Sequence, residues 1–73
     1  MASLTERLEE LKLARNVLQK DIAKAAGLSL RTYQRYEYGE REPSTSVLIA
    51  LADYFDVSLD YLVGRSNSMK RQP

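Results

Sequence analysis

Arg31, Gln34, Arg35 and Tyr38 lie near the middle of the chain, at spacings that turn all four to one side of a helix read at about 100° per residue. No acid shares that side, whereas a solvated helix face without a task usually mixes Glu with Lys. These side chains suit nucleic acid: arginine can donate two hydrogen bonds to the major-groove edge of guanine, and glutamine can pair with the edge of adenine. The neighbouring Leu30 can touch a thymine methyl. A single helix fits the major groove, and the amides at its N-terminus favour a nearby phosphate. The blander alternative, a helical hairpin that only adds to a small bundle core, leaves the acid-free face unexplained.

Other chemistries have few residues to work with. The 73-residue chain contains neither cysteine nor histidine, which removes disulfides, thiolate metal sites and the commonest neutral-pH acid, base and metal ligand. It has no glycine-rich phosphate loop, and Glu9 and Glu10, adjacent on a helix, point different ways. An enzyme is therefore not expected, nor a metal, a cofactor or a small-molecule ligand. No apolar run approaches the roughly 18 residues of a membrane span, and MASLTERLEE lacks the apolar core of a signal peptide, so a cytoplasmic location is expected. The net charge of +1 does not by itself announce a nucleic-acid binder. Its distribution says more: Glu6, Glu9 and Glu10 lie early, Asp53, Asp56 and Asp60 late, and Arg31, Arg35 and Arg41 between them.

The elements that must hold this face read as five helices, an all-α fold with one modest core. Ser3 and Glu6 have capping-box spacing, Leu4, Leu8 and Leu11 follow as one apolar stripe, and Glu, Arg and Lys fill the other side; the helix ends near Asn16. A second helix is expected from Gln19 to Ala26, with Ile22, Ala23 and Ala26 inward and Gly27 as its stop. Ser29 caps a third, Leu30 to Tyr38, whose inner side carries Tyr33, Tyr36 and Glu37. Pro43 and Ser44 mark the start of the most apolar helix, Thr45 to Phe55, with Val47, Leu48, Leu51, Ala52 and Phe55 at core spacing. Ser58 caps a last short helix, Leu59 to Val63, closed by Gly64. Residues 1–64 thus read as one domain, and 65–73, with Arg65, Lys70 and Arg71, as a polar basic tail that is disordered or a linker.

Gln19, Ala23, Gly27, Tyr33 and Tyr36 occupy the first, fifth, ninth, fifteenth and eighteenth positions of a helix-turn-helix unit. The flanks VLQKDIAKAAGLS, RYEYGEREPS and LADYFDVSLDYLVG resemble the Cro and lambda-repressor-like, or Xre-type, family from Leu4 to Val63. The resemblance implies a compact five-helix lambda-repressor-like fold, with the helix-turn-helix at helices 2 and 3. It further implies sequence-specific binding of double-stranded DNA by a transcriptional regulator, most simply a repressor, with helix 3 in the major groove. By position, Leu30, Arg31, Thr32, Gln34 and Arg35 match residues that face bases, while Gln19, Lys20, Tyr38 and Arg41 match residues that hold phosphates. Lys12 and Glu37 match an ion pair that ties helix 1 to the reading helix.

The sequence departs from the family pattern at Leu18, which cannot cap helix 2 with its side chain, and at Leu30, which replaces a frequently polar reader. Tyr33 and Tyr36 stand where aliphatic residues are usual, so each either fills the core or lends its hydroxyl to a phosphate. One reading helix covers few base pairs, and symmetric dimers on palindromic operators are the usual remedy, so a homodimer is expected. Around the last helix, Leu59 and Leu62 are assigned to the core, and Val57 and Tyr61 to the partner subunit. The alternative function is a protein-interaction module, antitoxin-like or adaptor, that presents helix 3 to a protein.

Overall fold

A computed structural model describes residues 2–71. It contains five helices: α1 (Leu4–Arg15), α2 (Gln19–Ala25), α3 (Leu30–Glu37), α4 (Thr45–Phe55) and α5 (Leu59–Leu62). Four of them begin alike, with the hydroxyls of Ser3, Ser29, Ser44 and Ser58 accepting from the backbone N–H of Glu6, Thr32, Val47 and Tyr61. Each bond satisfies an amide that the helix leaves without an internal partner. Helix α2 differs, because Leu18 has no acceptor to offer. There Asp21 reaches back, its Oδ2 accepting from Leu18 N–H at 3.1 Å, which is half of a capping box and is enough to start the helix at Gln19.

Between α2 and α3 the chain turns at Gly27, with φ +71°. A Cβ there would meet nothing within 4 Å, so the left-handed backbone, and not crowding, is what selects glycine. Helices α1 and α4 end instead on non-glycine residues in the same conformation, Asn16 at φ 53° and Asp56 at φ 55°. Among the described residues no helix is long and apolar enough to cross a membrane.

All five helices contribute to one core. Leu8 and Leu11 of α1, Ile22 and Ala23 of α2, Tyr33 of α3, Leu51, Ala52 and Phe55 of α4, and Leu62 of α5 are all buried, with Leu4, Ala26, Leu28, Val47 and Leu48 packed around them. Helix α4 is thus the pillar its apolar spacing implies. Val57 and Tyr61 belong to the same cluster, at 0% and 5% exposure, so the monomer itself uses the two residues expected at a dimer interface. Leu59, assigned to the core, is 39% exposed. The exchange has a simple origin: Val57 precedes α5 and its amide closes α4 by bonding Ala52 O at 3.0 Å, which draws the side chain inward and turns α5 so that Tyr61 and Leu62 face the core.

Arg7 also departs from expectation. Instead of joining the solvated side of α1 it is buried, with its guanidinium 3.9 Å from the centre of the Tyr61 ring. Its Nη2 donates to Ser66 O at 3.3 Å and Asn67 Oδ1 at 3.0 Å. The tail that follows α5 is therefore fastened rather than loose through residue 71. Ser58 N–H donates to Met69 O at 3.0 Å, and Arg71 pairs with Asp53 and Asp56 of α4 and its cap. Residues 72 and 73 of the expected tail lie outside the described residues.

Candidate nucleic-acid interface

Helix α3 is held from beneath by Tyr33, Tyr36 and Glu37, all buried, as the 100° spacing requires. Its opposite side carries Leu30, Arg31, Thr32, Gln34 and Arg35. Leu30 is 43% exposed, Arg31 is exposed, and the other three are half-buried. Arg31, Gln34 and Arg35 line one shallow hollow together with Tyr38, the C-cap of the helix, and Glu40. Glu40 is the one acid there, one residue beyond Gly39 and so outside the helical spacing that defined the face. Among the described residues, no side-chain hydrogen bond or ion pair engages Arg31, Arg35, Lys20 or Arg41. Lys20 and Arg41 are exposed, on the first turn of α2 and in the loop after α3. Thr32 is partly committed, its Oγ1 accepting from Ser29 Oγ at 2.9 Å.

Under this face lies a buried carboxylate. Glu37 is 2% exposed, and all three of its side-chain partners donate to it: Tyr33 OH to Oε1 at 3.0 Å, Lys12 Nζ to Oε2 at 3.1 Å, and Gln19 Nε2 to Oε2 at 2.7 Å. Lys12 also lies 3.2 Å from Glu9. Burial alone lowers the affinity of Lys12 for its proton, but hydrogen bonding to Glu37 and Glu9 and their negative charge outweigh it and hold the pKa above the ordinary lysine value. Burial, followed by the charge of Glu37 and the bond to it, drives the Tyr33 phenol far above the ordinary tyrosine value, so it stays protonated. Tyr33 is thus a core residue whose hydroxyl is satisfied within the protein. Tyr36, at 8% exposure, is buried beside it.

From Glu37 the hydrogen bonds continue outward. Gln19 spends its second amide proton on Tyr38 OH at 3.0 Å, and its Oε1 accepts from Gln34 Nε2 at 3.0 Å. This revises the phosphate-holding role expected of Gln19, since both protons of its carboxamide are used inside the protein. Tyr38 accepts that bond and so keeps its own hydroxyl proton for another acceptor. The sequence indicated the donors of this face but not the string that joins them, because the string connects α2 to α3 and its cap through side-chain rotamers that no periodicity encodes.

The sequence matches the helix-turn-helix family over residues 8–62. The transcriptional repressor RstR of the cryptic phage CTXphi, from Vibrio cholerae, is 39% identical over 62 residues, covering 85% of this chain and 55% of that protein. The HTH-type transcriptional regulator AnsR of Bacillus subtilis is 38% identical over 68 residues, covering 93% and 59%. The chain therefore spans a little over half the length of the curated relatives it matches. Among solved structures, the P22 c2 repressor in complex with a synthetic operator superposes with a TM-score of 0.82 at 26% identity, covering 90% of this chain and 100% of that one. A transcriptional regulator from Listeria innocua superposes with a TM-score of 0.80 at 37% identity, covering 85% of this chain and 58% of that one. On these matches, and on the geometry of α2, the Gly27 turn and α3, the chain belongs to the Xre-type helix-turn-helix family.

Proposed function

We propose that this chain is the DNA-binding part of a transcriptional regulator, most simply a repressor that occludes a promoter, and that it lays α3 in the major groove of double-stranded DNA. The observation that carries the reading is the hollow on α3, where Arg31, Gln34 and Arg35 stand together on a helix whose other side is locked into the core. The likeness to a repressor whose structure contains operator DNA supports the same docking. Arg31 and Arg35 supply bidentate donors for bases, and Leu30 an apolar contact for a thymine methyl. Lys20, Arg41 and the free hydroxyl proton of Tyr38 supply phosphate contacts, which give affinity without sequence preference. As a DNA reader it works in the cytoplasm of a prokaryotic cell.

Selectivity calls for two reading heads, so the binding unit is a homodimer on a palindromic operator. Since Val57 and Tyr61 are used in the core, the dimer contact falls to the exposed apolar residues beside them, Ile49 and Leu59, at 47% and 39% exposure on the rim of one groove between α4 and α5. Selection of bound duplexes from a random pool tests the whole reading. A palindromic consensus is the expected result. An enriched sequence without a repeat would remove the dimer, and no enrichment at low salt would leave a protein partner as the better account of α3.

A further inference from the structure

The string of side chains from Glu37 to Gln34 has a direction, and the chemistry of its members sets it. A carboxylate can only accept, so the Gln19 group 2.7 Å from Glu37 Oε2 must be its NH2. That choice turns the carbonyl of Gln19 toward Gln34, and a carbonyl also only accepts, so Gln34 must present its own NH2 there, at 3.0 Å. Flipping either amide would set oxygen against oxygen. The orientation of Gln34 is thus decided by a buried negative charge two residues removed along the hydrogen-bond path.

We infer that Glu37, acting through Gln19, holds the Gln34 carboxamide in the one orientation that selects adenine over guanine. The inference rests on the DNA-binding reading above. With one amide proton given to Gln19, Gln34 has a free Oε1 acceptor and a single free N–H to show to a base in the hollow it shares with Arg31 and Arg35. That pair complements adenine, whose major-groove edge offers the N6 amino donor and the N7 acceptor. Guanine offers two acceptors, O6 and N7, and would need a glutamine that turns both amide protons outward. A free glutamine can flip to meet either purine. This one cannot flip without opposing two oxygens, so discrimination comes partly from a repulsive element that the wrong base would have to face. Gln19 and Glu37 are positioning residues in this account, while Gln34 makes the contact.

The test compares the purified chain with its Gln19→Leu and Gln34→Ala variants and the double variant, titrated on the duplex that wild type selects and on that duplex with adenine replaced by guanine at the Gln34-dependent position. Wild type should favour adenine by about tenfold or more, the scale of one good bidentate pair. Gln34→Ala should abolish that preference. Gln19→Leu should retain binding to the adenine duplex within about threefold while guanine binding rises, bringing the ratio near one; the double variant should match Gln34→Ala. Should the leucine variant unfold, Gln19→Met removes the same donors and acceptor with a more adaptable side chain. Tyr38→Phe, which leaves the Glu37 anchor of Gln19 intact, should weaken every duplex alike and keep the adenine-to-guanine ratio. A Gln19 variant that keeps the wild-type ratio, or weakens both duplexes equally, overturns the inference and leaves the DNA reading standing. Failure of Gln34→Ala to change any base preference overturns it as well, and failure of wild type to select any duplex defeats both.

Discussion

Among the described residues two charges are buried, at different sites and on different terms. Glu37, beneath the reading face, has both carboxylate oxygens occupied by donors from three side chains on three helices. Arg7, beneath the tail, has two neutral acceptors on Nη2, Glu10 at 3.6 Å from Nη1, the ring of Tyr61 below it, and no partner for Nε. The difference is one of rigidity. A carboxylate with every oxygen claimed fixes its neighbours, whereas a guanidinium held by a ring and by tail residues tolerates slippage, since the attraction to a ring face is weakly directional and Arg buries its stem readily. The reading face is built on the first kind of site, and the tail is fastened by the second.

The comparison breaks if removing the two charges has equal effects. Glu37→Ala should cost about 3 kcal/mol or more in urea unfolding, because it orphans the buried Tyr33 hydroxyl and leaves Lys12 without its inner partner. Raising the pH should attack the same site. The Tyr33 and Lys12 pKa values are both raised in the fold, so their contribution is complete below the unfolded values near pH 10 and is lost as the pH climbs from there toward the raised folded values. Each group adds up to about 1.4 kcal/mol of lost stability per pH unit in that window. Tyr33→Phe should make the alkaline side of a stability-versus-pH curve shallower, and an unchanged slope would show that Tyr33 is not the sensor.

Arg7→Ala comes next, at about 1 to 2 kcal/mol, for the loss of the ring contact and of two hydrogen bonds to the tail. It should also speed amide exchange at Ser58, whose N–H is covered by Met69 O, while leaving the amides of α3 protected. Asn67→Ala should be smallest, within about 1 kcal/mol, since it removes one of several holds on the guanidinium. If Asn67→Ala matched Arg7→Ala, the tail would depend on that single bond and the contrast with Glu37 would fail.

Much of the fold was legible because helix periodicity and caps are local. Ser3, Ser29, Ser44 and Ser58 announce their helices in sequence, and the inward turn of Tyr33, Tyr36 and Glu37 follows from 100° per residue alone. What was not legible involves segments too short for a period, or bonds between distant residues. Helix α5 has four residues, too few to distinguish an inward Tyr61 from an inward Leu59. Helix spacing puts Arg7 on the solvated side of α1, and composition cannot show that Tyr61 lies beneath it. The tail carries no apolar spacing because backbone atoms and two charge pairs hold it, so its polarity did not show that residues 65–71 are fastened. At the reading face the residue types were visible, but the direction of the Gln19 amide depends on Glu37, Tyr38 and Gln34 meeting in space.

Gly64 approaches the carbonyl of Ala2 so closely that any Cβ would collide with it, and at φ +85° the position already disfavours other residues. The end of α5 therefore lies against the residue that leads into α1, which brings the two ends of the five-helix body together. Such a body lends itself to circular permutation: a short linker could join the two points, and new ends could be opened in the exposed turn at Glu40 and Arg41.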